Sequence, residues 1–416
     1  MHTTLESHRP QPSTRRRRLQ CELVMPLRWD SASPEDEAEL AAYLDQVAAW
    51  CDVTVVDGSP APQAAARRAG WPEQVRVLDP DPRWSGANGK VTGAMTGIAA
   101  ARHPFVVVCD DDVRYGRAEL STVVTALRVA DLVVPQNVPT RWPWWVWWES
   151  GRMLLNRAVA VDWPGTVGCR RDTVLRAGGW SPDVLFENLE MARTVEAAGG
   201  VVVHRPDVLV PRRPPRASHF LRQRVRQAYE DAASPVRWML GLGTVPALLL
   251  LCRRASLLGA VAAGVVAVAE VGRRRSGGRR AFPPWASLAA PLWAIERGIC
   301  SWVALGARIR GGARYNGRRL PVAAHSERDL RRRLAARSAA LTPELTETDH
   351  FTEGNTMNID KDEIVELLRS RGQHDVADHA ERELPVNVDT DQHGAKLDQL
   401  GINPAELLSG IGGTFG

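Results

Sequence analysis

The sequence predicts an α/β fold: a mostly parallel sheet with helices on both faces, followed by membrane-associated helices and a small helical C-terminal module. Short apolar strands alternate with helical segments up to about residue 232. Long apolar stretches follow, and the last part of the chain is acidic and polar. At 416 residues, the chain is long enough for two or three domains.

Composition and apolar pattern predict five regions. They are a disordered basic tail (1–18), the α/β domain (19–232), membrane-associated helices (233–311), a basic tail and linker (312–356), and an acidic helical module (357–416). Residues 341–416 hold 16 acidic and 5 basic side chains, against 32 and 48 in residues 1–340. This opposite charge, with Met357 at the start of the module, suggests a separate small protein joined to the main chain by a natural fusion or a gene-boundary artefact.

The strands and helices of the α/β domain follow one another in a regular order. "CELVMPL" predicts the first strand, and Ser33 with Pro34 predicts the start of a helix whose apolar residues recur at helical spacing. "DVTVVDGSP" predicts a second strand ending at Asp57, "AAARRAG" a short helix and "QVRVL" a third strand. "GKVTGAMTGIAAA" and "FVVVC" predict the next helix and the fourth strand.

Carboxylates follow two of these strands. Asp57 ends the second strand, and Asp110, Asp111 and Asp112 follow the fourth. In open sheets of this type, ligands bind beyond the carboxyl ends of the strands, so we expect these aspartates to meet in one crevice. A divalent cation, Mg²⁺ or Mn²⁺, would relieve their repulsion. The alternative is a solvated turn with surface carboxylates.

Residues 142–148 contain five of the fifteen tryptophans. Tryptophan suits sugar stacking, a membrane interface or plain core packing. A proline inside the run and a polar end favour a surface groove, so Trp144 and Trp147 are predicted to contact a ligand.

The apolar stretches predict attachment to a membrane. Residues 238–252 and 255–272 are separated by Arg253 and Arg254, and form either a hairpin of two spans or a re-entrant or interfacial pair. Residues 285–309 carry Glu296 and Arg297, which favours an interfacial helix over a span. The arginine runs are typical of a cytoplasmic flank or a solvated face rather than of a nucleic-acid interface.

The N-terminus and the cysteines indicate the compartment. No apolar segment follows the first charges, which argues against a signal peptide. The six cysteines show neither paired spacing nor zinc-ligand spacing, as expected of reduced buried thiols. We therefore expect a protein at the cell membrane with its α/β domain on the cytoplasmic side.

The order of the motifs is more specific than any one of them. Asp57, "NGK" (88–90), "DDD" (110–112), "FENLEMARTVEAAG" (186–199) and "LRQRVRQAYED" (221–231) occur in this succession before the apolar stretches. This succession resembles the family 2 glycosyltransferases, which have the GT-A fold, and is similar to membrane-attached members such as ceramide-glucosyltransferase-like and bacterial lipid glycosyltransferases. The resemblance runs from about residue 21 to 320 and includes "GGARYNGRRL" (311–320).

The resemblance implies inverting transfer of a sugar from a nucleotide-diphosphate donor to a hydroxyl of a lipid or polyprenyl-type acceptor. It implies that Asp110 and Asp112 hold Mn²⁺ or Mg²⁺ on the donor diphosphate. The implied donor-binding residues are Asp57, which would contact the base, together with Lys90, Asp111, Gln223 and Arg226. Lys90 is the only lysine before residue 341.

The chain departs from the family pattern at two positions. Asn188 stands where the family has its catalytic aspartate, and an amide cannot accept the proton of a hydroxyl. Glu187 is the expected replacement, and Glu190, one turn later, is a weaker candidate. Gln227 replaces the tryptophan of the Q-x-x-R-W motif, which disfavours a polysaccharide-extending synthase.

Two other functions fit parts of the sequence. Asn188 also fits a non-catalytic membrane scaffold that binds nucleotide sugars. A metal-dependent nucleotidyltransferase could use the same aspartates, but it would need a glycine-rich phosphate loop after the first strand, and "PLRWDSASP" has none.

Overall fold

The computed structural model describes residues 18–159, 161–315, 317–341, 358–370, 374–385 and 387–389. The predicted basic tail lies outside the described residues except for residue 18, and so does the linker over 342–356. The chain divides into two compact units, Met1–Ala339 and Ala340–Gly416.

The first unit is built on a seven-stranded sheet. Its strands are β1 (Glu22–Leu27), β2 (Asp52–Asp57), β3 (Val75–Leu78), β4 (Phe105–Cys109), β5 (Leu132–Pro139), β6 (Thr166–Arg170) and β7 (Val202–Arg212). The strand order is β3-β2-β1-β4-β6-β5-β7, and all neighbours are parallel except β6, which is antiparallel to β4 and β5. The prediction of a mostly parallel α/β sheet is confirmed.

Helices cover both faces of this sheet. They are α1 (Pro34–Ala48), α2 (Ala61–Arg68), α3 (Gly89–Ala100), α4 (Arg117–Ala126), α5 (Trp144–Val159), α6 (Arg171–Arg176), α7 (Glu187–Ala197) and α8 (Ala217–Glu230). Along β1, Leu23 and Met25 join the core that contains α1, whereas Val24 joins the core that contains α3. This alternation follows from the two-residue period of a strand, and it explains why strands buried on both faces read as continuous apolar runs.

Side-chain caps fix the starts of the two helices that the sequence marked most clearly. The Ser33 side chain accepts a hydrogen bond from the backbone N–H of Asp36 at 3.2 Å, and Pro34 is the first residue of α1. The Asn88 side chain accepts one from the backbone N–H of Lys90 at 3.1 Å at the start of α3. The second cap places Lys90 in the first turn of α3.

Three apolar helices follow the sheet: α9 (Pro235–Leu251), α10 (Ala255–Arg274) and α11 (Ala290–Ile309). Within the described residues, two helical segments are long and apolar enough to cross a membrane, Ala255–Arg280 and Pro284–Ile309, while α9 is shorter. The second segment includes the stretch for which the sequence favoured an interfacial helix, and its length and composition also allow a span.

Close backbone contacts hold these helices against α5. A Cβ added at Gly272 would overlap the carbonyl oxygen of Leu154, and one added at Gly151 would lie 2.9 Å from the Cα of Ala290. Glycine at these crossings allows the axes of α5, α10 and α11 to approach closely. The apolar helices therefore pack directly on the α/β domain.

The rest of the first unit is a hairpin, β8 (Ala313–Tyr315) and β9 (Arg318–Leu320), followed by α12 (Glu327–Leu341). The second unit contains β10 (Asn358–Asp360), α13 (Lys361–Ser370), α14 (His374–Glu383) and β11 (Asn387–Asp389). The two helices form a small core through Ile364, Leu368, Ala377 and Ala380, and β10 pairs antiparallel with β11. The sequence pattern predicted the helices but not the strand pair.

Candidate active site

The site lies at one edge of the sheet. The parallel strands β1, β2, β4, β5 and β7 all end there, and the antiparallel β6 begins there, with Thr166 opposite Cys109. The residues just beyond Cys109 and Arg212 at the end of β7 are therefore close neighbours, although about a hundred residues separate them in sequence.

Arg212 bridges two of the three adjacent aspartates. Its Nη2 lies 3.2 Å from Oδ2 of Asp110, and its Nε lies 2.9 Å from Oδ1 of Asp112. These attractions raise the pKa of Arg212 despite its burial. The guanidinium compensates the repulsion between the two carboxylates, which explains how adjacent charges are tolerated at the end of a buried strand.

Lys90 binds Asp110 from the opposite side. Its Nζ lies 2.6 Å from Oδ1 of Asp110 and 2.9 Å from Oε1 of Glu187. Burial lowers the pKa of Lys90, but the two carboxylates outweigh burial, so the net pKa is raised. Burial raises the pKa of Asp110 even beside Lys90 and Arg212, and the charge of Asp112 adds to this. The notch defined by Lys90, Asp110, Asp112, Glu187 and Arg212 is thus a compact set of alternating charges.

Asp111 points away from this notch. Its carboxylate accepts a hydrogen bond from the indole of Trp29, just beyond β1, whereas Asp110 and Asp112 share Arg212. Burial raises the pKa of Asp111, and the charge of Asp112 raises it further. Successive side chains along a strand point to opposite sides, and the middle aspartate, just beyond β4, likewise faces away from its two neighbours.

Asp57 lies next to Trp29 at the end of β2. Its Oδ1 accepts a hydrogen bond from the backbone N–H of Ser59 at 3.0 Å, and its Oδ2 is 3.6 Å from Arg67. The Ser59 hydroxyl accepts from the backbone N–H of Trp29, and the Arg67 guanidinium lies over the Trp29 ring. Asp111 therefore contacts the Trp29 indole directly, whereas the buried Asp57 is linked to Trp29 through Ser59 and Arg67.

A cavity of about 780 Å³ extends from the notch to the apolar helices. Lys90, Asp110, Glu187 and Arg212 line its charged end. Its opposite wall is formed by side chains of α9, α10 and α11, including Leu240, Val261, Val265, Val268 and Trp293. The cavity is therefore charged at the sheet and apolar at the helices that could enter a membrane.

Helix α8 forms one side of the cavity. Gln223, Arg226, Gln227 and Glu230 recur at helical spacing and all line it. Arg226 lies 3.3 Å from Oε1 of Glu230 and stacks over Tyr315. Burial raises the pKa of Glu230 to about 7, with the charge of Glu187 adding to the shift and Arg226 opposing it. Glu230 is thus a carboxyl group that titrates near neutral pH inside the cavity.

Two predictions of site residues need correction. Glu190 is fully buried, and its carboxylate accepts hydrogen bonds at 2.7 Å from both the backbone N–H and the Nδ1 of His325. Glu190 does not line the cavity, and its contacts with His325 mean that it holds the chain before α12 rather than contacting a substrate.

Trp144 and Trp147 also lie outside the cavity wall. Trp144 packs edge-to-face on Trp148 and Phe220, and the Trp147 indole donates to the carbonyl of Trp285 at 3.2 Å. They pack α5 against its neighbours. The indoles that line the cavity are Trp163 and Trp293, which the sequence reading did not select.

Asn188 has a structural contact. Its side-chain amide donates to the carbonyl of Pro164 at 2.7 Å, just before β6. The same segment approaches the notch, because the backbone N–H of Asp110 donates to the carbonyl of Gly165 at 2.9 Å. Asn188 therefore lines the cavity and supports the loop beneath Asp110.

A divalent cation fits this notch only with help from a substrate. In the described residues no group of three or more His, Cys, Asp or Glu side chains is arranged to hold a metal ion. Mg²⁺ and Mn²⁺ are commonly held by one or two carboxylates together with substrate phosphate oxygens and waters. The raised pKa of Asp110, caused by burial and by Asp112, is consistent with a place that an added positive charge would stabilise.

Sequence reasoning missed Trp29, Arg212 and Glu230. Arg212 and Arg213 stand between Pro211 and the pair Pro214–Pro215, a pattern that indicates a loop but no partner. Glu230 lies four residues after Arg226, the last residue of the Q-x-x-R segment. Its seven-residue spacing from Gln223 was the one sequence signal that both side chains lie on the same face of α8. Their roles depend on which strand and helix ends meet.

The comparisons with known proteins agree with part of this description. A family model described as glycosyl transferase family 21 matches residues 61–139, which include Lys90 and the three adjacent aspartates. This match supports a glycosyltransferase and covers less than half of the chain. The comparison with curated proteins gave no match.

Two solved structures resemble the chain weakly. The mannosyltransferase PcManGT from Pyrobaculum calidifontis, in complex with GDP-Man and Mn²⁺, is 17% identical over 80% of this chain and 84% of that chain, with a TM-score of 0.38. A mycobacterial protein is 16% identical over 50% of this chain and 72% of that chain, with a TM-score of 0.35.

Proposed function

We propose that the protein is a membrane-attached glycosyltransferase that moves a sugar, with inversion, from a nucleotide-diphosphate sugar to a hydroxyl of a lipid or other membrane-borne acceptor. The main support for this proposal is the continuous cavity, which joins the charged notch to the apolar side chains of α9, α10 and α11. A water-soluble donor would bind at the charged end of this cavity, and an apolar acceptor would bind at the apolar end.

The donor diphosphate would lie at the charged end. Lys90, Arg212 and Arg226 all line the cavity there and supply positive charge for phosphate oxygens. Gln223, on the same face of α8 as Arg226, would add a hydrogen-bonding side chain. The nucleoside would extend toward Trp29, whose indole donates to Asp111 and which is linked to Asp57 through Ser59.

Asp110 and Asp112 would hold Mn²⁺ or Mg²⁺ on the donor phosphates. When bound, the cation supplies positive charge that stabilises the leaving diphosphate. Arg212 touches both carboxylates, so its guanidinium keeps them close together before the donor arrives.

The acceptor chain would lie along the apolar wall. The outer faces of α9 and α10 expose large apolar side chains, among them Leu250 at 81% and Val271 at 58%. Such surfaces are typical of contact with lipid. The α/β domain would then lie at the cytoplasmic face, beside the arginines that follow α10.

The transfer itself is a single displacement. The acceptor oxygen bonds to the anomeric carbon, the bond from that carbon to the diphosphate oxygen breaks, and the hydroxyl proton passes to a carboxylate. Two cavity carboxylates can receive it. Burial raises the pKa of Glu187, but Lys90 outweighs burial and lowers it overall, whereas the pKa of Glu230 is about 7. A base works best with a pKa near the working pH, so Glu230 joins Glu187 as a candidate.

One observation favours a second function. The amide of Asn188 is engaged with the carbonyl of Pro164, and Glu187 is engaged with Lys90. A site that binds a nucleotide sugar without transferring it would tolerate both contacts. The non-catalytic scaffold therefore remains the second candidate.

Turnover by the full chain in lipid nanodiscs separates the two. Nucleotide sugars would be screened with Mg²⁺ or Mn²⁺ and a mixed lipid extract, and release of the nucleoside diphosphate would be measured beside donor binding. Asp110→Asn is expected to reduce turnover by about 100-fold or more. Asp45→Asn, an exposed change on α1, is the control. Donor binding with no turnover for any sugar would support the scaffold instead.

A further inference from the structure

Two arginines at the apolar end of the cavity have donors that the protein does not satisfy. Arg297 on α11 is only 5% exposed, and its Nε and Nη1 have no hydrogen-bond partner within the described structure. Its Nη2 reaches Gln227 at 3.5 Å, and its Nη1 is 3.5 Å from Asp231, both long for such contacts. Buried donors left unpaired in this way need an explanation, and a ligand is one.

Arg237 is the second of these two arginines. It lies in the first turn of α9, lines the same cavity and has no ion pair or hydrogen bond among the contacts of the described residues. The other cavity arginines are already paired. Arg152 contacts Glu149 and Asp162, and Arg226 contacts Glu230. Arg237 and Arg297 are therefore the cavity arginines with donors to spare.

A single carboxylate faces both of them. The charges of Arg297 and Arg237 both act on Asp231, at the start of the short turn before α9. The charge of Arg297 also acts on Glu230, but that carboxylate is already paired with Arg226. Asp231 alone cannot neutralise both Arg237 and Arg297. Taking such charges out of water is unfavourable unless an anion pairs with them. The local surplus of positive charge therefore favours an anionic ligand.

The ligand chemistry follows from the donors and the surroundings. A guanidinium presents several N–H groups in one plane, which match the oxygens of a phosphate. Leu240 and Thr244 follow Arg237 on α9, while Gln227 and Glu230 lie toward the notch. An anion here would have apolar side chains on one side and the reacting carboxylates on the other.

We propose that Arg237 and Arg297 bind the phosphate of the acceptor, so that the acceptor is a phosphate-bearing lipid whose free hydroxyl points toward Glu187 and Glu230. This inference rests on the proposed function and deepens it by selecting anionic over neutral lipids. It assigns to these arginines a task distinct from binding the donor diphosphate, which belongs to Lys90, Arg212 and Arg226.

The test compares a phosphate-bearing acceptor with a neutral one that has the same acyl chains. Full-length protein in phosphatidylcholine nanodiscs would be given donor and either phosphatidylglycerol or diacylglycerol with the same acyl chains. Glycerol phosphate in solution forms a third arm, which separates a lipid phosphate from a free one. We expect transfer to phosphatidylglycerol and at least a 10-fold lower kcat/KM for diacylglycerol. Transfer to glycerol phosphate alone would show that the site takes a free phosphate and would overturn the lipid assignment.

Variants connect the preference to the arginines. Arg237→Gln should raise the KM for phosphatidylglycerol on the order of 10-fold and leave donor binding unchanged. Arg222→Gln, exposed on α8, is the matched control. Arg297 packs deeply, so Arg297→Lys, which keeps the charge, would be compared with Arg297→Gln. Equal use of both lipids, or an Arg237→Gln enzyme that keeps its KM, would overturn the proposal. Absence of turnover with every acceptor, with donor still bound, would instead contradict the proposed function.

Discussion

Arg212, the last residue of β7, lies 2.9 Å from Asp112, the third residue after β4, and the same guanidinium reaches Asp110 at 3.2 Å. The contact joins the two strand ends that carry the charged notch. It means that the aspartates are held as a pair by the protein itself, so a donor and its cation would meet a site that is already assembled.

Replacing Arg212 should disable this arrangement. Arg212→Gln removes the charge between Asp110 and Asp112, and their repulsion should separate them or favour the protonated forms. We expect kcat/KM for the donor to fall by about 100-fold, with Arg212→Lys intermediate because an ammonium lacks the planar fork. Steady-state kinetics over a series of Mg²⁺ and Mn²⁺ concentrations would measure this.

Arg213→Gln is the matched control, because the Arg213 side chain pairs with Asp36 and Glu39 rather than with the notch. If Arg212→Gln turned over donor as fast as Arg213→Gln, the notch would not be the donor site.

The pH dependence of turnover should identify the base. Glu230 has a pKa raised to about 7 by burial and by Glu187, so it loses its proton as pH rises through 7. If Glu230 accepts the hydroxyl proton, kcat/KM should rise with pH up to about 7 and then level off. Glu230→Gln should abolish this limb, whereas Glu187→Gln should keep it but shift it to lower pH, because the charge of Glu187 helps to raise the pKa of Glu230.

The free energy of unfolding should change with pH in the opposite direction to turnover. Because the folded-state pKa of Glu230 lies above its ordinary value of 4.5, its stabilising contribution is present below that value and is lost as pH rises through 7. Denaturant unfolding between pH 5 and 8 should therefore show a smaller decrease in Glu230→Gln than in the parent. For catalysis, a kcat/KM of the unsubstituted enzyme that does not vary between pH 5 and 8 would exclude Glu230 as the base.

Glu190 should matter for folding rather than for chemistry. Its buried carboxylate accepts two hydrogen bonds from His325, so Glu190→Gln should lower the free energy of unfolding by roughly 1–3 kcal/mol. His325→Ala should act in the same direction, and kcat should change little in both. Glu196→Gln, exposed on the same helix, is the control. A large fall in kcat with unchanged stability would return Glu190 to the site.

A side chain at position 165 should disturb the charged notch. A Cβ there would overlap the Asp110 carboxylate and the Arg212 guanidinium. Gly165→Ala is expected to lower donor turnover at least 10-fold while the protein still folds, since the displaced atoms are side-chain ends near a cavity. Gly259→Ala, which meets no atom within 4 Å, is the comparison, and circular dichroism would monitor folding. Equal turnover in the two variants would contradict the close approach at the notch.

Much of the fold could be read from local pattern. The apolar run of β1, the β-branched runs of β2 and β4, and the caps at Ser33 and Asn88 depend on neighbours in sequence, so the parallel sheet and the starts of α1 and α3 were predictable. The apolar stretches likewise marked α9, α10 and α11. For residues 285–309, Glu296 and Arg297 argued against a span, whereas the helix as a whole has the length and composition of one.

The sequence by itself determined the α/β class, the strand ends at which the carboxylates gather, and Lys90 and Asp110 as partners in one site. Tertiary structure alone decided that Arg212 holds those carboxylates, that Glu190 turns inward to His325, and that Arg237 and Arg297 share a cavity with α8. The physical reason is the distance along the chain over which each effect acts. Strand period and helix capping act over a few residues, whereas ion pairs and cavities depend on which distant ends the packing of the sheet and helices brings within a few ångströms.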